Sequence, residues 1–179
     1  MRVFVAAELP RPVAERLAAW APRDGALRPV AVESLHLTLA FLGERGAGEA
    51  AAAGALLAEV ARPVRALALG GAVWLPARRP RVLAVRIEDG DGALAALQGA
   101  LAAGLARAIG FEPDRRPYLP HVTVARVRGA VGRGLRAAVA ASPPPARAVG
   151  TFAATGVALV RSHLGRGPAR YETLERAAL

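Results

Sequence analysis

The order strand, helix, loop, strand occurs twice in this chain, and that recurrence limits the fold more than any other feature. VFVAAELP (3–10) leads through a helix and a loop to HLTLAFLG (36–43). VLAVRIED (82–89) leads through a helix and a loop to HVTVARVR (121–128). Two such units most simply pack as lobes about a pseudo-twofold axis, with their closing strands facing each other across a cleft. Each closing strand carries a histidine and a threonine two residues apart, His36 with Thr38 and His121 with Thr123.

The remaining elements fit around that frame. Strands are expected over 2–9, 34–43 (stopped by Gly43), 64–75 with a bend at Gly70-Gly71, 81–88, 121–128, 148–162 and 170–178. Helices are expected over 12–20, with Val13, Leu17 and Trp20 on one face, over the Ala-rich 47–61, and near 131–141. A longer helix follows Asp91 as N-cap, carries the stripe Leu94, Leu97, Leu101, Leu105 and Ile109, and ends at Gly110. At 179 residues the chain suits one compact domain, or two small lobes sharing a core.

Alternate residues of a strand share a face, so His36 and Thr38 point one way while Leu35, Leu37, Leu39 and Phe41 point the other and pack against helices. The same split sets His121 and Thr123 against Val122 and Val124. A single histidine in an apolar strand is more often a hydrogen-bonded core residue than a catalyst. Here two of the three histidines recur with a threonine at the same repeat position, which favours a site on a rigid platform. Metal binding fits poorly, because no Asp or Glu lies within either motif and threonine is a weak ligand. His163, in RSHLGRG, reads as a surface residue in a turn without a partner.

Two imidazoles and two hydroxyls suit a phosphodiester. Histidine gives or takes a proton near neutrality, and in-line displacement needs one group on each side of phosphorus. The hydroxyls can hold non-bridging oxygens. A cyclic phosphate is a natural substrate, since its ring opens without a metal to activate the leaving group.

Charge and composition agree with an anionic partner. The formal net charge is +10, and all 24 basic residues are arginine. The lack of lysine reads as the coding bias of a GC-rich genome, but the excess of cations attracts polyanions, nucleic acid above all. Cysteine is absent, so disulfides and thiolate metal sites are excluded. Glu8 and Pro10 break the first apolar run too early for a signal peptide, and no apolar run reaches membrane-spanning length. A soluble, cytoplasmic protein is expected.

The paired HLTL and HVTV motifs resemble those of the 2H phosphoesterase superfamily. The flanks RVFVAAELP, LHLTLAFLGE, RPYLPHVTVAR and RYETLERAAL are similar to its bacterial and archaeal RNA 2′,3′-cyclic phosphodiesterases, also called 2′-5′ RNA ligases. The resemblance spans nearly the whole chain. It implies an α+β, bilobal fold in residues 1–179, with antiparallel sheets lining a central cleft, helices outside, and one motif per lobe (36–39 and 121–124). It also implies metal-independent and cofactor-free opening of an RNA 2′,3′-cyclic phosphate to a 2′-phosphate. By the family pattern His36 is the proton donor to O3′, His121 the proton acceptor that activates water, and Thr38 and Thr123 hold the phosphate. The two near-symmetric copies leave the acid and base unassigned from the residues alone. An RNA 5′-hydroxyl in place of water gives a 2′-5′ linkage without ATP, expected as the weaker reaction.

Arg126 matches a family arginine expected to reach the phosphate. Strict alternation places it opposite His121, so a bulge or a long reach is required. Phe4 is a candidate for stacking a base, with core packing as the competing reading, and Tyr118 a candidate for the cleft mouth. Ala40 stands where relatives often have lysine, and the clusters Arg78, Arg79, Arg81 and Arg115, Arg116 are candidates to replace that charge. A monomer is expected. The competing functions are a 2H phosphoesterase acting on a small cyclic nucleotide phosphate, such as a cyclic ADP-ribose phosphate, and a non-catalytic RNA- or nucleotide-binding module.

Overall fold

The computed structural model describes residues 1–163 and 170–179. In chain order the elements are β1 (Arg2–Glu8), α1 (Arg11–Trp20), β2 (Leu27–Pro29), a 3₁₀ turn (Val32–Ser34), β3 (His36–Glu44), α2 (Ala47–Val60) and β4 (Leu67–Leu75). There follow β5 (Val82–Asp89), α3 (Ala93–Ile109), β6 (His121–Val127), α4 (Arg133–Ala141), α5 (Ala146–Val149), β7 (Thr151–Phe152), β8 (Gly156–His163) and β9 (Arg170–Ala178). The architecture is α+β.

The strands form one sheet in the order β7-β4-β5-β6-β3-β1-β8-β9, with β2 paired to β6 beside that path. The lobes are therefore two halves of a continuous sheet rather than two separate sheets. In each half the strand carrying the motif pairs antiparallel with the strand that opens its repeat, β3 with β1 and β6 with β5. The halves meet where Leu37 pairs with Val122, the single register pair between β3 and β6. Beyond it the two strands diverge, and β2 takes the place beside β6.

One face of the sheet is apolar and covered by helices. Leu37, Leu83, Val85, Val122 and Val124 are fully buried there, together with Leu94, Leu97, Leu101 and Leu105 of α3 and Leu57 of α2. Helices α2 and α3 come unusually close at Gly104, where a Cβ would lie 2.6 Å from the Leu56 methyls. A larger residue there requires the Leu56 side chain to turn aside. Leu17 and Val13 of α1 bury against the same core.

Four local expectations need correction. Gly43 does not end β3; it lies within the strand at φ +73 and pairs with Val3 at a register irregularity, a conformation glycine adopts without strain. Asp91 is not the N-cap of α3, which is Gly92. Asp91 accepts from the Ala93 N–H, while the Asp89 carboxylate accepts from the Leu94 and Ala95 N–H groups at 3.2 and 2.9 Å. Residues 148–162 are not one strand: α5 ends at Gly150 (φ +67), β7 pairs with β4, and β8 pairs with β1. The loop before the first motif contains β2, three residues ending in a proline and too short to show a period. Among the described residues no helix is long and apolar enough to cross a membrane.

Candidate active site

Both motif strands show the same alternation at their start, half-buried His, buried aliphatic, half-buried Thr, buried aliphatic. Because Leu37 pairs with Val122 in antiparallel register, His36 lies beside Thr123 and Thr38 beside His121. All four side chains leave the sheet on the face away from the helices. The two histidines are diagonal neighbours, a relation that sets residues about 7–8 Å apart with their Cβ atoms somewhat closer. They line one cleft of about 360 Å³, with Thr38, Thr123, Ser34, Arg2, Arg28, Phe41, Arg126, His163 and Tyr171 among its other walls.

The two rings are held alike. His36 Nδ1 lies 2.7 Å from the Ser34 carbonyl and His121 Nδ1 lies 2.8 Å from the Leu119 carbonyl, in each case two residues earlier. A carbonyl only accepts, so each Nδ1 carries a hydrogen. That leaves each Nε2 as the nitrogen able to take or give a proton. Burial lowers the His36 pKa below the ordinary value of 6.5, the hydrogen bond to Ser34 opposes this, and the charges of Arg126 and His121 add to the lowering.

The alternation breaks at the same place in both copies. Ala6 pairs with Thr38 but Val5 with Ala40, which leaves Leu39 as the extra residue. Ala84 pairs with Thr123 but Leu83 with Ala125, which leaves Val124. Each strand thus has a bulge just after its threonine, and the residue five after each histidine turns to the cleft. In the second copy this residue is Arg126, whose Nη2 donates to the Tyr171 hydroxyl at 3.2 Å. In the first copy it is Phe41, expected in the core but 51% exposed. The Arg2 guanidinium stands 4.8 Å above its ring. Ala40 is buried opposite Val5 and adds nothing to the cleft.

Other expectations change with burial. Phe4 is only 3% exposed, because the His36 ring stacks on it at 4.8 Å and Tyr171 meets it edge-on at 5.3 Å. It therefore supports the histidine, and although it lines the cleft it is too covered to serve as an open platform for a base. Tyr118 does not line the cleft; its hydroxyl donates to the Thr38 carbonyl at 3.1 Å. Burial, with the Asp89 carboxylate, raises its pKa well above that of an ordinary phenol. His163 has a partner after all, since its Nε2 lies 2.8 Å from Glu172 Oε2 at the end of β8. The turn read over 164–167 lies outside the described residues.

Arg78, Arg79, Arg81, Arg115 and Arg116 are all exposed and do not line the cleft. The guanidiniums that do belong to Arg2, Arg28 and Arg126, and Arg28 lies directly opposite Arg126 in the β2–β6 ladder. Like charges set side by side repel, and among the described residues no carboxylate lines this cleft, so the site is built to receive an anion. Arg2 and Arg28 escaped sequence analysis because neither lies near a motif. Tyr171 was hidden in the last strand, where its only signal was an aromatic in an otherwise polar stretch. Among the described residues no three His, Asp or Glu side chains are grouped to hold a metal. The set of imidazoles, hydroxyls and guanidiniums can grip a tetrahedral anion between two rings and exchange protons with it.

Residues 9–166 match the family model of the 2′-5′ RNA ligase superfamily. The chain is 34% identical to the RNA 2′,3′-cyclic phosphodiesterase of Escherichia coli (strain K12), over 99% of this chain and 96% of that protein. It is 35% identical to the RNA 2′,3′-cyclic phosphodiesterase of Thermus thermophilus, over 100% of this chain and 90% of that one. A crystal structure of E. coli LigT complexed with 3′-AMP superimposes with a TM-score of 0.77 at 31% identity, covering 99% of this chain and 97% of the other.

Proposed function

As the chain belongs to the 2′-5′ RNA ligase superfamily, we propose that it is an RNA 2′,3′-cyclic phosphodiesterase that yields a 2′-phosphate. The observation that carries this reading is the paired geometry of His36 and His121, each with Nδ1–H on a carbonyl and Nε2 left for chemistry. The cyclic phosphate lies between the rings. Thr38 and Thr123 hydrogen-bond its non-bridging oxygens, and Arg126 and Arg28 neutralise its charge.

His121 Nε2 takes a proton from water as the water oxygen bonds to phosphorus. The P–O3′ bond breaks, and His36 Nε2–H gives its proton to O3′. His121 ends protonated and His36 neutral, and exchange with solvent resets the pair. Burial first, and then the charges of Arg126 and His121, lower the pKa of free His36, which works against its role as acid until substrate binds. The phosphate anion offsets the charges of Arg126 and His121 that depress it, so substrate brings a proton to the group that must deliver one. No step draws on a metal or cofactor. If an RNA 5′-hydroxyl replaces water, the same geometry makes a 2′-5′ linkage, as the weaker reaction.

RNA is favoured over a small cyclic nucleotide by the net charge of +10 and by the arginines at the cleft. The test is turnover of an RNA ending in a 2′,3′-cyclic phosphate beside the corresponding cyclic mononucleotide, both in EDTA. The proposal expects the RNA to be preferred and EDTA to leave the rate unchanged. A strong preference for the mononucleotide, or a need for added divalent ion, contradicts it.

A further inference from the structure

The RNA upstream of the reacting end must leave the cleft somewhere, and the structure distinguishes the exits. The inference rests on the proposed reaction, in which O3′ departs on the His36 side and the terminal ribose therefore lies there. Because His36 sits beside Thr123, β6 runs on past His36 to Arg126, which has Arg28 of β2 on one side and Val82 of β5 on the other.

We propose that the turn joining β4 to β5, residues 76–81, together with Arg128 and Arg136, is the track for the upstream RNA phosphates. The turn is tied to the Arg126 end of β6. The Arg81 N–H donates to the Leu75 carbonyl at 2.8 Å, and the Arg81 carbonyl accepts from the Val127 N–H at 2.8 Å. Arg128 follows at once. From the other side α4 lays Arg136 over the Trp74 ring at 5.6 Å and against the Ala77 carbonyl at 3.3 Å. This fixes its guanidinium at the carbonyl of the residue that precedes Arg78. Arg78, Arg79, Arg81 and Arg128 are exposed, and among the described residues none of the five is in an ion pair. The carboxylate on the neighbouring loop, Asp24, is turned to the Ala26 N–H at 2.8 Å.

The alternatives are neutralised or misplaced. Arg115 and Arg116 precede His121, at the opposite end of β6, and Arg116 is chelated by Asp114 at 2.6 Å. A second cavity of about 540 Å³ continues beyond Phe4, His36 and Tyr171. Its arginines are already paired, Arg11 with Glu15 at 2.8 Å and Arg176 with Glu8 at 2.6 Å. Among the described residues Arg115 and Arg86 are unpaired too, but they lie at the His121 end. On the side of the terminal ribose, unpaired positive charge therefore marks one exit. A row of exposed guanidiniums meets successive phosphates of a single strand without reading sequence.

The test is the salt dependence of binding of an RNA of about ten nucleotides ending in a 2′-phosphate, measured by fluorescence anisotropy. In the variant R78A/R79A/R81A the slope of log K against log salt should become shallower by about 2, at roughly 0.7 per lost contact on a single strand. R136A alone should flatten it by about 0.7. R115A/R116A should leave it unchanged. Hydrolysis of a cyclic mononucleotide phosphate should proceed at the wild-type rate in all three variants. An unchanged slope in the triple variant, or an equal loss in R115A/R116A, overturns the track. Because the slope is read from binding, it holds or fails independently of turnover, and a wild-type protein that opens no cyclic phosphate counts against the catalytic reading instead.

Discussion

At the level of single residues, the chemistry depends on the state that the protein environment sets for His36. A proton-detected NMR titration should place the His36 midpoint below 6.5 in the free protein, because burial and nearby cations disfavour its charged form. Binding of a nucleoside 2′-phosphate should move that midpoint upward, since an anion stabilises imidazolium. Arg126→Ala should also raise it. A midpoint above 6.5, or one that falls on phosphate binding, contradicts the electrostatics proposed for the site. His36→Ala and His121→Ala should each lower kcat by about 10²–10⁴, the range for losing a general acid or base, while binding of RNA is largely kept. Phe41, the exposed aromatic of the cleft wall with Arg2 over its ring, is the candidate to stack the terminal base. Phe41→Ala should therefore weaken binding of a base-bearing end by an amount near the 1–3 kcal/mol typical of base–aromatic stacking, and leave an abasic end unaffected. The four motif residues could be read directly because period-two alternation fixes their face. Phe4 could not be assigned, because whether an aromatic ring is a platform for substrate or for a neighbouring histidine depends on what lies on it.

The elements show where simple periodicity stops. Alternation alone sends Phe41 to the core and Arg126 away from His121. The paired bulges at Leu39 and Val124 reverse both, and nothing in the residues there marks an irregularity that arises from cross-strand register. The α3 stripe was legible because five apolar residues recur at helical spacing, and four of them, Leu94, Leu97, Leu101 and Leu105, are fully buried. β2 was not, because three residues carry no period. The contact between α2 and α3 also has a measurable consequence. Gly104→Ala places a Cβ where the Leu56 methyls stand, and overpacking of this kind costs about 1–3 kcal/mol. Thermal unfolding should show a clear fall in Tm. An unchanged or raised Tm means that the Leu56 side chain turns aside at little cost, with the roughly 1 kcal/mol gained by replacing a mid-helix glycine offsetting it.

At the scale of the whole molecule, the duplicated unit gives two similar halves that join at Leu37 and Val122. The join puts both motifs on one face. The recurrence in sequence foretold the pairing of histidines but not that the lobes share a single sheet, since strand order is decided by packing between distant segments. The same duplication also differentiates: one half turns an arginine to the cleft where the other turns a phenylalanine, so a near-symmetric frame carries an asymmetric cleft. Net charge, legible from composition, becomes specific only when the fold shows which arginines face the cleft and which are neutralised. The most direct test of two rings flanking one phosphorus is to incubate the protein, in EDTA, with a defined RNA ending in a 2′,3′-cyclic phosphate and to identify the product isomer. A 2′-phosphate is expected, formed by the wild type, with its formation slowed by about 10²–10⁴ in both His36→Ala and His121→Ala. A 3′-phosphate product, or full activity in either variant, contradicts it.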